Sequence, residues 1–246
     1  MMRLSVDIIT DFMAFAPHEV WKRLQNSHLE LLGDDVVGEL GENECRLASV
    51  EDKLRSASKR HFGLSVSGGE IQYGHINNYA HSLIWVQNLV RDMADADLWV
   101  EPFCSASEFV QAWVYEPDYI RWQNAEDPLV YQAAGKSWQG LPMKSNGLPF
   151  PLEQTVIDTS QNPGRRVLRK GYVEAVGAIM WLGSAFLNRV GLSVAELRSE
   201  SWLDIEELSS GALKIKVMDE VFTTAEADQE KLQNGLRSLL FRSVTA

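Results

Sequence analysis

Cysteine is scarce in this sequence of 246 residues, which contains only Cys45 and Cys104. Two cysteines cannot build the disulfide framework that stabilises many small secreted domains. They also lack the CxxC spacing of zinc and redox motifs, so buried, inert thiols are the default interpretation. This cysteine usage fits a reducing compartment.

Long apolar runs are missing as well. No stretch reaches the roughly 18 consecutive apolar residues that predict a membrane-spanning helix. The opening residues, MMRLSVDIITDF, carry Asp7 and Asp11 inside their apolar run and so lack the core of a signal peptide. We therefore expect no membrane partner.

Basic residues are fewer than acidic residues. The chain has 23 Lys and Arg against 34 Asp and Glu, which gives a formal net charge of −11. A nucleic-acid-binding protein needs a basic patch to displace counterions, so we expect no direct contact with nucleic acid. A basic protein partner is compatible with this charge, because a negative field steers positive surfaces towards it. Solubility alone would also explain the acidity.

The sequence lacks the motifs that indicate common catalytic sites. It has neither a GxGxxG after a strand nor a Walker loop, and residues 63–67 lack the final glycine of a nucleophile elbow. His75 and His81 have no evident third ligand, so no metal site is predicted. We expect a protein that is not an enzyme and that holds no cofactor and no metal.

What the sequence does contain is a series of short strands, hairpins and helices. Alternating or short apolar runs predict strands at residues 3–9, 62–66, 98–100 and 155–157. Turn residues between strand-like runs predict β-hairpins at residues 109–122, 165–177 and 202–218. Helical spacing or capping residues predict helices at 17–32 (with His28 on the apolar side and Gly33 as cap), 49–60, 79–93 and 184–190, and from Ser193 and Thr223 onwards. Residues 83–86 could instead form a strand.

These elements alternate without a regular βαβ rhythm, and no repeat of about 20–50 residues is apparent. We predict an α+β fold with a mainly antiparallel sheet of hairpins packed by helices, in a single domain over residues 1–246. Pro142, Pro149 and Pro151 predict an irregular, exposed segment. It could mark a subdomain boundary, but one core is favoured.

Two charged features suggest internal pairing. Arg165 and Arg166 follow an Asn-Pro-Gly turn, where they could form an anion site, although pairing with the protein's own acidic groups is favoured. Glu174 lies inside the apolar run Tyr-Val-Glu-Ala-Val. We expect it to face inwards and to need a partner such as Arg169, because an unpaired buried charge is costly.

An acidic and aromatic constellation spans residues 95–127, where Arg121 is the only opposing cation. Apolar anchors beside carboxylates suit a binding surface for a basic protein, since buried aromatics supply most of the binding energy and rim charges set the approach. The predicted contact residues are Glu108, Trp113, Tyr115, Glu116, Asp118, Tyr119 and Trp122. In the competing interpretation, the aromatics of this hairpin face the core and the acids face water.

Several segments of the second half of the chain are distinctive. They are Trp122-Gln123-Asn124-Ala125, LPMKSNGLP at 141–149, NPGRR at 162–166, GYVEAVG at 171–177, MWLG at 180–183 and FTTAE at 222–226 before a Leu-rich helix. Together these segments resemble the bacterial Immunity protein fifty-two family. The resemblance covers residues 103–241, and the first hundred residues are much less distinctive. It supplies no inhibitory residues that could be transferred to this chain.

The resemblance implies a non-enzymatic antidote of a polymorphic-toxin or type VI secretion system. Its partner would be a cognate toxin, usually a nuclease of restriction-endonuclease-like fold, which it would neutralise in the cytoplasm by direct binding. Acidic side chains could then stand where DNA phosphates would lie. Whether the toxin's active site is covered directly, and whether a homodimer forms, stays open.

Two alternatives belong to other functional classes. One is a small-molecule or metal-dependent enzyme with its site near the Pro-rich central segment. The other is an adaptor or chaperone that loads a secreted effector and leaves it active.

Overall fold

Residues 3–24, 32, 36–57 and 59–242 are described by the computed structural model of the chain. The predicted opening strand is confirmed, and the predicted helix at Pro17 is confirmed over Pro17–Arg23. The predicted continuation of that helix, with His28 and Gly33, lies outside the described residues.

The core of the molecule is a ten-stranded sheet with the order β13-β14-β12-β7-β1-β6-β5-β4-β2-β3. Every pair of neighbours in it is antiparallel. Two small hairpins, β8–β9 and β10–β11, stand beside it. The strands are β1 Leu4–Asp11, β2 Val37–Leu40, β3 Asn43–Arg46, β4 Phe62–Val66, β5 Gly69–Ile76, β6 His81–Val90, β7 Phe109–Tyr115, β8 Met143–Ser145, β9 Thr155–Ile157, β10 Val167–Arg169, β11 Tyr172–Glu174, β12 Ile179–Leu182, β13 Asp204–Glu207 and β14 Leu213–Lys216.

Short helices pack around this sheet. They are α1 Pro17–Arg23, α2 Val50–Ser56, α3 Met93–Cys104, α4 Pro117–Asn124, α5 Pro128–Ala133, α6 Ser184–Val190, α7 Val194–Arg198 and α8 Ala227–Leu240, with 3-10 turns at Leu47–Ser49 and Asn77–Tyr79. Together with the antiparallel sheet they confirm the predicted α+β fold. The predicted capping box of Ser193 and Glu196 is present at the start of α7.

The first face of the sheet is covered by α1, α2 and α3, whose apolar residues belong to one core with it. Because directly paired residues of antiparallel strands point to the same side, one row of pairs shows what this face carries. The row runs Glu206, Lys214, Trp181, Ala112, Ile8, Ile84, Tyr73 and Phe62. From Trp181 to Phe62 every member is buried.

The second face is covered over only part of its width. Its matching row runs Ile205, Ile215, Met180, Trp113, Asp7, Trp85, Gln72 and Gly63. Helices α6, α7 and α8 and the β10–β11 hairpin pack on the side that includes Trp113. Beyond Asp7 the row becomes partly or fully exposed. Within the described residues, strands β4, β5 and β6 therefore leave this face open.

The hairpins around Lys170-Gly171 and Ser209-Gly211 are confirmed as β10–β11 and β13–β14. Gly171 and Gly211 have φ of +86° and +83°, a backbone conformation that glycine adopts at little steric cost. Glu174 faces inwards and pairs with Arg169 at 2.5 Å, as predicted.

The predicted hairpin at residues 109–122 is wrong in its second half. Strand β7 is present, but it runs into α4. Pro117 occupies the first turn of α4, and the Glu116 carboxylate accepts the backbone N–H groups of Asp118 and Tyr119. The turn-like sequence Glu-Pro-Asp is thus a helix start, for which a fixed proline φ and an acidic cap are both suited.

Three other local predictions are wrong. The helical spacing of residues 79–93 predicts a helix, but β6 pairs here with β1 on one side and β5 on the other, and the alternative prediction of a strand at residues 83–86 is confirmed. The predicted strand Leu98-Trp99-Val100 lies inside α3, where Trp99 and Val100 face the first-face core. The predicted capping box of Thr223 and Glu226 is replaced by the Gln229 side-chain oxygen, which accepts the Thr223 N–H at 2.8 Å.

Candidate functional site

Two concave basins lie on the open part of the second sheet face and meet at Trp85. The first, the arginine basin, encloses about 890 Å³ and is lined by Arg3, Trp85, Gln87, Asn88, Tyr115, Glu116, Pro117, Asp118, Ile120, Arg121, Asn124 and Arg166. The second, the glycine basin, encloses about 970 Å³ and is lined by Phe12, Met13, Arg60, His61, Phe62, Gly63, Gln72, Tyr73, Gly74, His75, Ile76, Asn77, Leu83 and Trp85. We call the two basins together the open groove.

Trp85 is held in place by a chain of hydrogen bonds across three strands. Its indole N–H donates to the Tyr115 hydroxyl at 2.7 Å, and that hydroxyl donates to Asp7 Oδ1 at 2.9 Å. Register places Asp7 of β1 directly between Trp85 of β6 and Trp113 of β7. The Trp85 ring is therefore fixed by its polar edge, while part of its surface remains open to the groove.

Asp7 also forms an ion pair with Arg166, with 2.9 Å between Oδ2 and Nη1. The Arg166 guanidinium lies over the rings of Tyr115 and Trp113, at 4.2 Å and 5.3 Å from their centroids. This pairing confirms that Arg166 binds an acidic group of the protein itself. The Asp7–Arg166 pair and the rings of Trp113 and Tyr115 therefore lie at the boundary between the covered and the open parts of the second face.

Burial sets the protonation tendencies of this cluster. It raises the pKa of Asp7, against the opposing effects of the Arg166 charge and the Tyr115 hydrogen bond. Burial also lowers the pKa of Arg166, but the opposing effects of the neighbouring Asp7 and Tyr115 are together larger, so the pKa of Arg166 is raised. Burial likewise raises the pKa of Tyr115. The cluster is a structural ion pair with a neutral phenol as hydrogen-bond relay.

A β-bulge shapes the rim of the arginine basin. The pairing of β1 with β6 shifts between Leu4 and Val6, and Asn88 of the bulge has a φ of +57°. The Asn88 N–H donates to Ser5 Oγ at 3.1 Å, which satisfies the displaced backbone group. Bulges of this kind redirect side chains at sheet surfaces, and here Gln87 and Asn88 line the basin.

The floor of the glycine basin has unusually little side-chain cover. Gly63 and Gly74 lie in adjacent strands and face the same side as Gln72 and Leu83. Among the described residues, a methyl group built on Gly74 would meet no atom within 4 Å, and one on Gly63 would meet the Gln72 side chain at 3.9 Å. Glycine inside a strand commonly marks a place where another group approaches the backbone closely.

Apolar and basic side chains border the glycine basin. Phe12 and Met13 are each 39% exposed, and Phe12 packs edge-on against the His75 ring at 5.6 Å. His75 Nδ1 and Ser82 Oγ are 2.8 Å apart, and burial lowers the pKa of His75. A neutral imidazole is therefore favoured at the edge of the basin.

The predicted contact residues separate into three groups. Tyr115, Glu116 and Asp118 do come together, since all three line the arginine basin. Trp113 and Tyr119 are buried and line neither basin, as the competing interpretation expected, and Tyr115 is itself only 5% exposed where it borders the arginine basin. Trp113 lies under Arg166, and the Tyr119 hydroxyl donates to Gln233 Oε1 at 2.7 Å within the second-face core.

Glu108 and Trp122 lie outside the open groove. Glu108 borders a different depression and accepts a hydrogen bond from Ser107 Oγ at 3.0 Å. Trp122 packs against Tyr131 with their ring centroids 4.9 Å apart, and the cations of Arg121 and Lys136 lie over it. Neither residue contributes to the groove that their neighbours form.

The groove residues that sequence reasoning missed are Trp85, Arg3, Arg60 and the glycine pair. They are distributed over β4, β5, β6 and the segments that precede β1 and β4, so no local motif unites them. The available signal was the presence of Gly63 and Gly74 inside strand-like runs, which argues for an open or closely approached backbone.

The Pro-rich segment forms a separate exposed feature. It folds into the β8–β9 hairpin, whose connecting loop is ordered by the Asn146 side chain through Leu148, Leu152 and Gln154. Phe150 at the tip of this loop is 89% exposed. Neither basin of the open groove is lined by this segment.

Within the described residues, no group of three or more His, Cys, Asp or Glu is arranged to hold a metal ion. No helix in that part of the chain has the length and apolar character to cross a membrane.

Comparison with known proteins shows a likeness in fold to solved structures. No protein-family model matches the chain, and no curated protein matches its sequence. The solved structure of a Pseudomonas aeruginosa T6SS protein is similar, with a TM-score of 0.58 and 10% sequence identity. The match covers 99% of this chain and 73% of that chain. At this identity it shows a common fold, and membership of the Immunity protein fifty-two family stays a prediction.

Proposed function

We propose that the chain is an immunity protein of a type VI secretion system, which binds and neutralises a cognate toxin by direct contact. The observation that carries the proposal is the fold it shares with a T6SS protein over 99% of its length. The segments that resemble Immunity protein fifty-two support the same function from the sequence. By that resemblance the toxin is a nuclease of restriction-endonuclease-like fold.

The open groove supplies a surface of the right kind for this contact. It combines a fixed aromatic floor at Trp85, exposed apolar groups at Phe12 and Met13, and a charged rim. Protein interfaces draw most of their energy from such apolar anchors within a polar rim. A sheet face left uncovered over three strands provides room for a partner element to pack.

The carboxylates expected to imitate DNA phosphates have a smaller part in this proposal. Glu116 stays at the rim, but its oxygens are engaged by the first turn of α4. Asp118 is exposed and free to meet a basic group of the partner. Neutralisation then follows from occupation of the groove by a toxin element, which holds the toxin away from its substrate.

Co-expression with the product of an adjacent toxin gene tests this function. We expect the chain to restore growth to cells that make the toxin, to co-purify with it, and to abolish the nuclease activity of the purified complex. A stable complex in which the toxin stays active would replace the proposal with an effector-loading adaptor. Absence of both rescue and complex formation would refute it.

A further inference from the structure

We infer that the glycine basin binds an acidic segment of the partner protein. A large apolar or aromatic side chain of this segment inserts into the basin. This inference rests on the proposed function and specifies the chemistry of the toxin element that docks. It differs from the sequence-based expectation, in which acidic groups of this chain meet a basic partner.

The shape of the basin calls for an inserted side chain. Gly63 and Gly74 leave bare backbone at its floor, and no atom of the described residues lies within 4 Å of the place where a Gly74 side chain would begin. Trp85 and Leu83 of β6 form the adjoining wall, and both are partly exposed. A ring placed over the glycines would contact the Trp85 face, which favours aromatic and other bulky apolar groups.

The charge of the basin favours an acidic residue next to that side chain in the docking segment. Although the chain carries a net charge of −11, no Asp or Glu is among the described residues that line this basin. Arg60 and His61 border it instead, and no carboxylate of the described chain pairs with Arg60. The nearby Glu70 accepts a hydrogen bond from Gln72 Nε2 at 2.6 Å and lies outside the lining.

Charge complementarity therefore favours one occupant. A carboxylate beside the inserted ring would meet Arg60 at an exposed rim, where opposite charges set specificity and association rate. A basic segment would place its cations against Arg60. A nucleic acid carries a phosphate charge on every nucleotide, so the net charge of −11 would repel it along its whole length, whereas a short segment with a carboxylate beside its ring meets Arg60 locally.

Filling the floor of the basin is the direct test. Gly74 has an ordinary strand backbone with no positive φ, so Gly74→Val suits β5, and no atom of the described residues lies within 4 Å of the added Cβ. We expect this variant to keep the melting temperature of the wild type and to bind the toxin about 100-fold more weakly. The matched control is Ser65→Val, on the same sheet face in β4 but outside the basin.

Charge reversal tests the electrostatic part. We expect Arg60→Glu to weaken binding about tenfold at low salt, with a smaller effect at high salt. Arg46→Glu is the control, since Arg46 is exposed on β3 and lines neither basin. Affinity is measured by calorimetry with a catalytically inactive toxin, and protection by growth of co-expressing cells.

The outcomes separate the two proposals. If the wild type binds and protects but Gly74→Val and Arg60→Glu match it, the inference is overturned and the immunity function stands. Tighter binding by Arg60→Glu would identify a basic occupant and also overturn it. If the wild type neither binds nor protects, both proposals fall. Should Gly74→Val lower the melting temperature, Gly74→Ala is measured with Arg60→Glu, and wild-type affinity in both would overturn the inference.

Discussion

The buried ion pair beneath the open groove makes a sharp stability prediction. Arg166→Leu removes the cation that pairs with Asp7. Asp7 lies at the centre of the sheet and is only 3% exposed. The carboxyl would keep the Tyr115 hydroxyl as its hydrogen-bond donor but lose its counter-charge. Removal of one partner from a buried pair is costly because the other charge stays desolvated.

The expected cost is about 3 kcal/mol at pH 7, the lower end of the roughly 3–5 kcal/mol typical of broken buried pairs. The lower end applies because the Tyr115 hydroxyl still donates to the Asp7 carboxyl in the variant. Without Arg166, burial raises the pKa of Asp7 further above its unfolded value of about 3.9. The folded state then keeps a proton that the unfolded chain has lost, so stability falls as pH rises through that window.

The loss in Arg166→Leu should therefore shrink between pH 7 and pH 5, by at most about 1.4 kcal/mol per pH unit for one proton. Urea unfolding followed by the fluorescence of the eight tryptophans measures it. The control is Arg198→Leu, whose ion pair with Glu207 is exposed and should contribute less than about 1 kcal/mol.

The double variant Asp7→Asn with Arg166→Leu should lose the pH dependence of the single variant, because no buried carboxyl remains. A cost below about 1 kcal/mol for Arg166→Leu at pH 7, or an equal cost at pH 5 and pH 7, would refute the role assigned to the pair.

Two further predictions concern groups outside the glycine basin. Glu116→Ala removes the acceptor for two backbone N–H groups of α4 and should cost about 1 kcal/mol in urea unfolding, whereas Asp118→Ala should stay within about 0.5 kcal/mol. Equal losses would contradict the capping role. Burial raises the pKa of Cys104 to about 12, so its thiol should resist a thiol reagent at pH 8 until the protein is unfolded. Labelling of native Cys104 within seconds, detected by mass spectrometry, would show that the thiol is accessible.

Local sequence predicted the elements whose boundaries are set by local chemistry. The β10–β11 and β13–β14 hairpins depend on glycines that adopt positive φ, and helix α6 ends at Gly191, whose φ is +68°. The inward orientation of Glu174 and its pairing with Arg169 followed from the cost of burying a charge. These features need no knowledge of distant parts of the chain.

Elements decided by distant pairing were not predictable in this way. The apolar residues of β6 fit a helical spacing as well as an alternating one, and its neighbours β1 and β5 select the strand. The start of α4 resembles a turn, because proline and acidic residues serve both structures. The open groove draws its lining from β4, β5, β6, the end of β7, α4 and the segment that carries Arg166, so only the assembled sheet reveals it.

The position of β1 has a consequence for synthesis of the chain. This strand lies between β6 and β7, so both of its partners follow far downstream in sequence. At about 5–20 residues per second, β1 leaves the ribosome several seconds before either partner exists. During that interval its two hydrogen-bonding edges are free to pair with other nascent chains. We expect the charge of Asp7, at the centre of the apolar run, to disfavour such pairing during this interval. The charge is neutralised once Arg166 has been synthesised and pairs with it.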